Sequence, residues 1–215
     1  MEAEFILGVD LDGVCADYTA AFRRSVARHR GIDPTDLTGE VSWDFGEWGL
    51  DRDGFLEHHN RAVNDDAMFA TMEAIEGCSE ALWRLSDAGV WIRIITHRLV
   101  GNWSHAKVVA DTVQWLDDRS IPYRDLCVLG AKPQVEAAAY IDDAPHNVDA
   151  LRSSGNTVIV FDQPYNRHMP GLRASGWEDV EAIVAELVAR HTGGFARQLP
   201  GFDPGADRIR RRRGS

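Results

Sequence analysis

Five short apolar runs, each closed by polar residues and separated by stretches of helical periodicity, constrain this chain more than any other feature. The runs are FILGV (5–9), VWIRII (90–95), LCVL (126–129), AYI (139–141) and TVIVF (157–161). Short continuous apolar runs suit strands covered on both faces, which belong to parallel sheets with helical crossovers. Between the runs lie apolar stripes at helical spacing: Cys78, Leu82 and Leu85; Ala106, Val109, Val113 and Leu116; Val180, Ile183, Leu187 and Val188. Each stripe predicts one helix face turned to the sheet. Gly89 and Gly155 stand where helix-ending glycines are expected.

The predicted class is α/β, a Rossmann-like parallel sheet with flanking helices. One segment breaks the alternation. Residues 10–89 separate the first run from the second, far more than a crossover needs. A helix from Asp17 to Arg30, with Tyr18, Phe22, Val26 and His29 on one face, opens this segment. A loop rich in Gly, Pro, Asp and Thr follows, then SWDFGEWGLDRDGFLEHHN and the acidic NDDAMF. Residues 17–77 are therefore expected to form a small helical cap inserted after the first strand, with 1–16 and 78–192 as the core. The Gly- and Pro-rich end, 193–215, closes with DRIRRRRGS and reads as a disordered basic tail.

At 215 residues with 44% hydrophobic content, the chain supports one sizeable core. Its 34 acidic against 23 basic residues give a formal charge of -11, which opposes a nucleic-acid polymer as partner. Three cysteines without metal-ligand spacing suit reduced thiols in the cytoplasm. No apolar stretch approaches a membrane span, and the acidic MEAEFILG is unlike a signal peptide. A cytoplasmic protein with no membrane partner is expected; a homodimer stays open.

Ligands of a parallel α/β sheet bind at the carboxyl ends of its strands. There the sequence places Asp10, Asp12 and Gly13 after the first run; Thr96, His97 and Arg98 after the second; Lys132 before AYI, and Asp142 and Asp143 after it. Several carboxylates with one hydroxyl and one lysine suit Mg²⁺-assisted phosphoryl transfer, because Mg²⁺ takes hard oxygen ligands and few of them from protein. Asp10 can attack phosphorus once a cation and a lysine offset the charge repulsion. Asp12, two residues on, can protonate the leaving oxygen and later accept a proton from water. Gly13, lacking Cβ, lets backbone N–H groups approach phosphate oxygens.

These residues resemble the motifs of the haloacid dehalogenase superfamily. DLDGV matches its DxDG motif, Thr96 in IRIITHR the second, Lys132 in LGAKP the third, and the acidic pair in YIDDAPHNV the fourth. The resemblance implies that Thr96 holds the phosphate and Lys132 neutralises the nucleophile. It implies also that Asp142 ligates Mg²⁺ beside Asp10 and the Asp12 carbonyl, with Asp143 near the metal. Within the superfamily the chain is similar to the 5'(3')-deoxyribonucleotidases, through the cap position, FDQPYNR (161–167) and GWEDVEAIV (176–184). His97 and Arg98 depart from the Ser-Pro often found there, at the expected substrate entrance.

The expected activity is removal of phosphate from a small ester, a (deoxy)nucleoside monophosphate before a sugar phosphate or biosynthetic intermediate. A catalytically idle binding protein could dispense with the nucleophile. Trp43, Phe45 and Trp48 offer flat surfaces for a nucleobase, or else form the core of the cap.

Overall fold

The structure, a computed structural model, describes residues 4–37, 39, 42–102, 104–128 and 130–192. Residues 193–215, the expected tail, and Leu129, the end of the third apolar run, lie outside the described residues. Six parallel strands make one sheet: β1 (Ile6–Val9), β2 (Trp91–Thr96), β3 (Asp125–Val128), β4 (Ala139–Asp142), β5 (Val158–Phe161) and β6 (Arg173–Ala174). Their order is β3-β2-β1-β4-β5-β6. All five apolar runs became strands. The sixth, paired to β5 through Val160 and Arg173, was not foreseen, since two residues carry no periodicity.

In the centre, Leu7 lies opposite Ile92 on one side and Ala139 on the other. The chain builds outward through β2 and β3, then returns to the far side of β1 with β4. The order of winding therefore reverses between the parallel neighbours β1 and β4, where a crevice opens at the strand ends.

The segment after β1 holds three helices, α1 (Tyr18–Arg30), α2 (Arg52–Asn64) and α3 (Met68–Thr71). Asp17 caps α1 by accepting the Ala20 N–H at 3.0 Å, and Asp51 caps α2 by accepting that of Gly54 at 2.8 Å. Such caps satisfy donors that a helix start leaves open. Asp66 ties α1 to the end of α2, receiving Ser25 Oγ and Arg28 Nη1, both at 2.6 Å. The chain leaves and re-enters the sheet side by side, with Asp17 donating to the Glu73 carbonyl at 2.9 Å and Ile75 to that of Cys15 at 2.7 Å. Phe22, Phe45 and Phe69 belong to the same continuous apolar cluster as Leu7, Val9 and Ile92.

The crossovers are α4 (Cys78–Asp87), α5 (His105–Asp118) and α6 (Pro145–Ser153), and α7 (Trp177–Thr192) ends the described chain. The α4 stripe is buried as expected. In α5 the buried face is Val108, Thr112, Trp115 and Leu116, whereas Val109 is exposed and Ala106 also faces outward. That corrects the face expected from sequence. Trp115, fully buried and donating from Nε1 to the Met72 carbonyl at 2.8 Å, sets the rotation, because the largest ring gains most from burial. Among the described residues no helix is long and apolar enough to cross a membrane.

Candidate active site

β1 runs straight into the site. Leu11 is fully buried, and residues two apart in an extended chain share a side, so Asp10 and Asp12 both face the crevice. The turn that follows is held from several directions: Cys15 and Ala16 donate to the Leu11 carbonyl, each at 2.8 Å, and Gln163 Nε2 to the Gly13 carbonyl at 2.7 Å. Gly13 has φ +82°, and a Cβ there would lie 2.1 Å from Asp143 Oδ2. Its own N–H donates to the Ala16 carbonyl at 2.9 Å. Glycine at this position serves the turn and the close approach of Asp143.

Lys132 lies beneath this turn, buried, in a short helical turn ahead of β4. Its Nζ is 2.9 Å from Asp10 Oδ2 and 2.6 Å from Asp142 Oδ2. Asp142 also accepts from the Ala144 N–H at 3.0 Å and Asn147 Nδ2 at 3.2 Å, at the start of α6. Asp143 Oδ2 receives the Tyr165 hydroxyl and its carbonyl receives Asn166 Nδ2 at 2.8 Å, while Oδ1 is buried without a partner. Burial raises Asp10 against the pull of Lys132, with Asp142 and Asp12 adding to the rise, to about 7. Asp143 is raised too, by burial and then by Asp10 and Asp142. Burial by itself would lower Lys132, but Asp10 and Asp142 hold it above the usual range.

One oxygen each of Asp10, Asp142 and Asp143 lies within 4.8 Å of the others. Three carboxylates against one ammonium, with one oxygen unpartnered, form a hard-donor set short of positive charge. A divalent cation such as Mg²⁺ fits that deficit.

Asp12 is turned toward β2. Arg98 Nη2 reaches its Oδ1 at 2.7 Å and Nε lies 3.2 and 3.1 Å from its two oxygens. The guanidinium is buried, 4.4 Å from the centre of the Phe69 ring, and Nη1 donates to Thr112 Oγ1 at 3.2 Å. Arg98 lines the cavity as its place after Thr96 suggested, with its guanidinium engaged by Asp12. Thr96 is buried on the cavity wall, its Oγ1 3.4 Å from the Arg98 N–H. His97 lines the same wall, its Nε2 without a partner; burial and then Lys132 lower it to about 4, so it is neutral.

The cavity above these groups has a volume of about 560 Å³. Of the aromatic residues predicted to meet substrate, Trp43 stands 48% exposed at its rim, edge-on to His146 and Tyr165. Phe45 lines the cavity together with Phe55 and packs on both Phe55 and Phe22. Trp48 does not line it. Buried against Phe22 and Phe45, Trp48 is a packing residue, which corrects its placement among substrate contacts. Sequence reasoning missed Tyr165, Tyr18, His59 and Asn102, all on the cavity wall. FDQPYNR was noticed, but nothing local to it shows that its tyrosine reaches Asp143.

The sheet order and the position of the insertion define a haloacid dehalogenase-like fold. Two solved structures share it: a haloacid dehalogenase-like hydrolase from Streptococcus pneumoniae (TM-score 0.53, 14% identity, 86% of this chain and 100% of that one) and one from Xanthomonas campestris (TM-score 0.54, 17%, 89% and 99%). The profile of the family described as "5' nucleotidase, deoxy (Pyrimidine), cytosolic type C protein" matches residues 4–192, and the chain belongs to that family. A protein of Chlorobaculum tepidum named "Putative 5'(3')-deoxyribonucleotidase" is 45% identical over 186 residues, covering 85% of this chain and 91% of that protein. The chain is an enzyme, a phosphatase of the 5'-nucleotidase kind.

Proposed function

We propose that this phosphatase acts on (deoxy)nucleoside monophosphates in the cytoplasm, with Mg²⁺ and through an aspartyl-phosphate on Asp10, residues 17–77 serving as the cap. The observation that carries the reading is Lys132 beneath the strand ends, 2.9 Å from Asp10 and 2.6 Å from Asp142, below a cavity whose opposite wall is aromatic. The family description and the name of the Chlorobaculum tepidum relative favour a deoxynucleotide over a sugar phosphate.

In the first step an Asp10 oxygen forms a bond to phosphorus as the bond to the leaving oxygen breaks. Asp12, aimed by Arg98, gives that oxygen its proton. In the second step Asp12 takes a proton from water as the water attacks phosphorus, releasing phosphate and restoring Asp10. Lys132 holds the Asp10 carboxylate in place, and the Thr96 hydroxyl meets a phosphoryl oxygen. Asp10, Asp142 and Asp143, with the Asp12 carbonyl, would hold the cation, which supplies positive charge against the phosphoryl oxygens. The cap excludes bulk water, which strengthens each of these interactions.

Phosphate release from p-nitrophenyl phosphate, nucleoside monophosphates and sugar phosphates, measured with EDTA and with added Mg²⁺, tests the reading. Activity lost in EDTA, restored by Mg²⁺ and highest on a deoxynucleotide is expected. Full activity in EDTA, or a preference for sugar phosphates, would overturn it.

A further inference from the structure

The wall of the cavity next to Asp12 carries a hydrogen-bond chain that the mechanism above does not use. Asn102, 4% exposed, donates from Nδ2 to the Arg98 carbonyl at 2.8 Å, and the same nitrogen lies 3.2 Å from His59 Nε2. His59 Nδ1 is 2.8 Å from the Tyr18 hydroxyl oxygen.

Counting donors fixes the protons. The bond to the Arg98 carbonyl identifies the Asn102 atom as the amide nitrogen, which only donates, so His59 Nε2 is the acceptor. Neutral His59 then carries its proton on Nδ1 and donates to Tyr18. Burial lowers His59, in keeping with the neutral ring. Tyr18, accepting from His59, has its own O–H left to give. At the other end Asn102 Oδ1 is buried without a partner. Both residues line the cavity, and Phe55 and Phe69 pack against the His59 ring between them. An apolar wall thus offers one spare donor and one spare acceptor.

We propose that Tyr18, His59 and Asn102 form a subsite for the sugar of the substrate, in which Asn102 Oδ1 accepts a hydrogen bond from a sugar hydroxyl. The assignment rests on the reading of Asp12 as the group beside the leaving oxygen. Asn102 is bonded to the backbone of Arg98, whose side chain grips Asp12, and both Asn102 and Asp12 line the cavity, so one residue links the subsite to the group beside that oxygen. In a nucleoside monophosphate the groups a few bonds from the leaving oxygen are those of the sugar. Asn102 Oδ1 has no partner of its own; a ligand that brings a donor satisfies it, and a ligand lacking that donor leaves it unpaired. Asn102 is a specificity residue in this account, and His59 positions its amide.

The test compares kcat/KM for 2'-deoxythymidine 5'-monophosphate and its 3'-deoxy analogue, on the wild type and on Asn102→Ala. The wild type is expected to favour the hydroxylated substrate roughly tenfold or more, and Asn102→Ala to bring the ratio close to one. A purely structural Asn102 would lower both rates and leave the ratio unchanged, which would overturn the proposal. Equal rates on the wild type would overturn it without any variant, even if Asn102→Ala fails to fold. Turnover of p-nitrophenyl phosphate with neither nucleotide hydrolysed would refute the nucleotide reading itself and the sugar subsite with it.

Discussion

Asp10→Asn should end catalysis and, at pH 8 in EDTA, make the protein harder to unfold. Asp10 is raised from 3.8 to about 7, chiefly by burial. A group whose native pKa lies above its unfolded value keeps its proton on folding, so ionising it costs stability. Between pH 4 and 7 the unfolded chain has released this proton while the native state retains it, and stability falls as pH rises. With the rise to about 7, the cost is about 4 kcal/mol at pH 8 and less than half of that at pH 5. Asparagine removes that cost. It also takes one partner from Lys132, which keeps Asp142 at 2.6 Å; that loss should be nearly independent of pH over this range. Urea unfolding of wild type and variant in EDTA at the two pH values therefore isolates the carboxylate. The variant should gain about 2–3 kcal/mol on the wild type between pH 5 and pH 8. A difference equal at both would show that Asp10 is ionised throughout and that its burial is compensated, refuting the argument. Phosphate release near the wild-type rate would refute its role as nucleophile.

Gly13→Ala should cost about 2–5 kcal/mol, from left-handed backbone strain and displacement of buried Asp143, because its Cβ would meet Asp143 Oδ2 at 2.1 Å. Gly155→Ala, also at φ +82° but with nothing within 4 Å, should cost about 1–2 kcal/mol; equal denaturation midpoints for the two would remove the clash as a cause. Trp43→Leu should raise KM for a nucleotide severalfold with the melting temperature unchanged, since Trp43 stands exposed at the rim. Trp48→Leu should instead lose about 2–4 kcal/mol of stability, and a KM effect without a melting shift would return Trp48 to the substrate.

The positions of Asp10, Thr96, Lys132 and Asp142 were legible because each is tied to the end or approach of an apolar run, and a parallel sheet gathers those ends in one crevice. What their side chains do there was less legible. Arg98 was expected at the substrate entrance because it follows Thr96, and it lines the cavity; its partner Asp12 is 86 residues away in the chain, and no local pattern announces the pair. Tyr165 on Asp143 and Asn102 on His59 are likewise meetings across long stretches of sequence. Trp43, Phe45 and Trp48 fall within six residues, but Trp43 stands at the rim while Phe45 and Trp48 pack on each other across the short helical turn at Gly46–Trp48. The misjudged face of α5 has another cause: counting aliphatic residues gave Trp115 no more weight than Val113.

Phe45 and Phe69 line the cavity and also belong to the apolar cluster that continues into β1 and β2. Rings with both duties tie the choice of substrate to the survival of the fold. Variants that enlarge or reshape this wall must repack the centre of the molecule together with it, so a new specificity reached through Phe45 or Phe69 needs a compensating change elsewhere in the cluster. Trp43, outside that cluster, is free of the constraint, and an evolving lineage can alter it alone. Natural variation in substrate preference among such chains should therefore accumulate first at the rim and only afterwards in the wall.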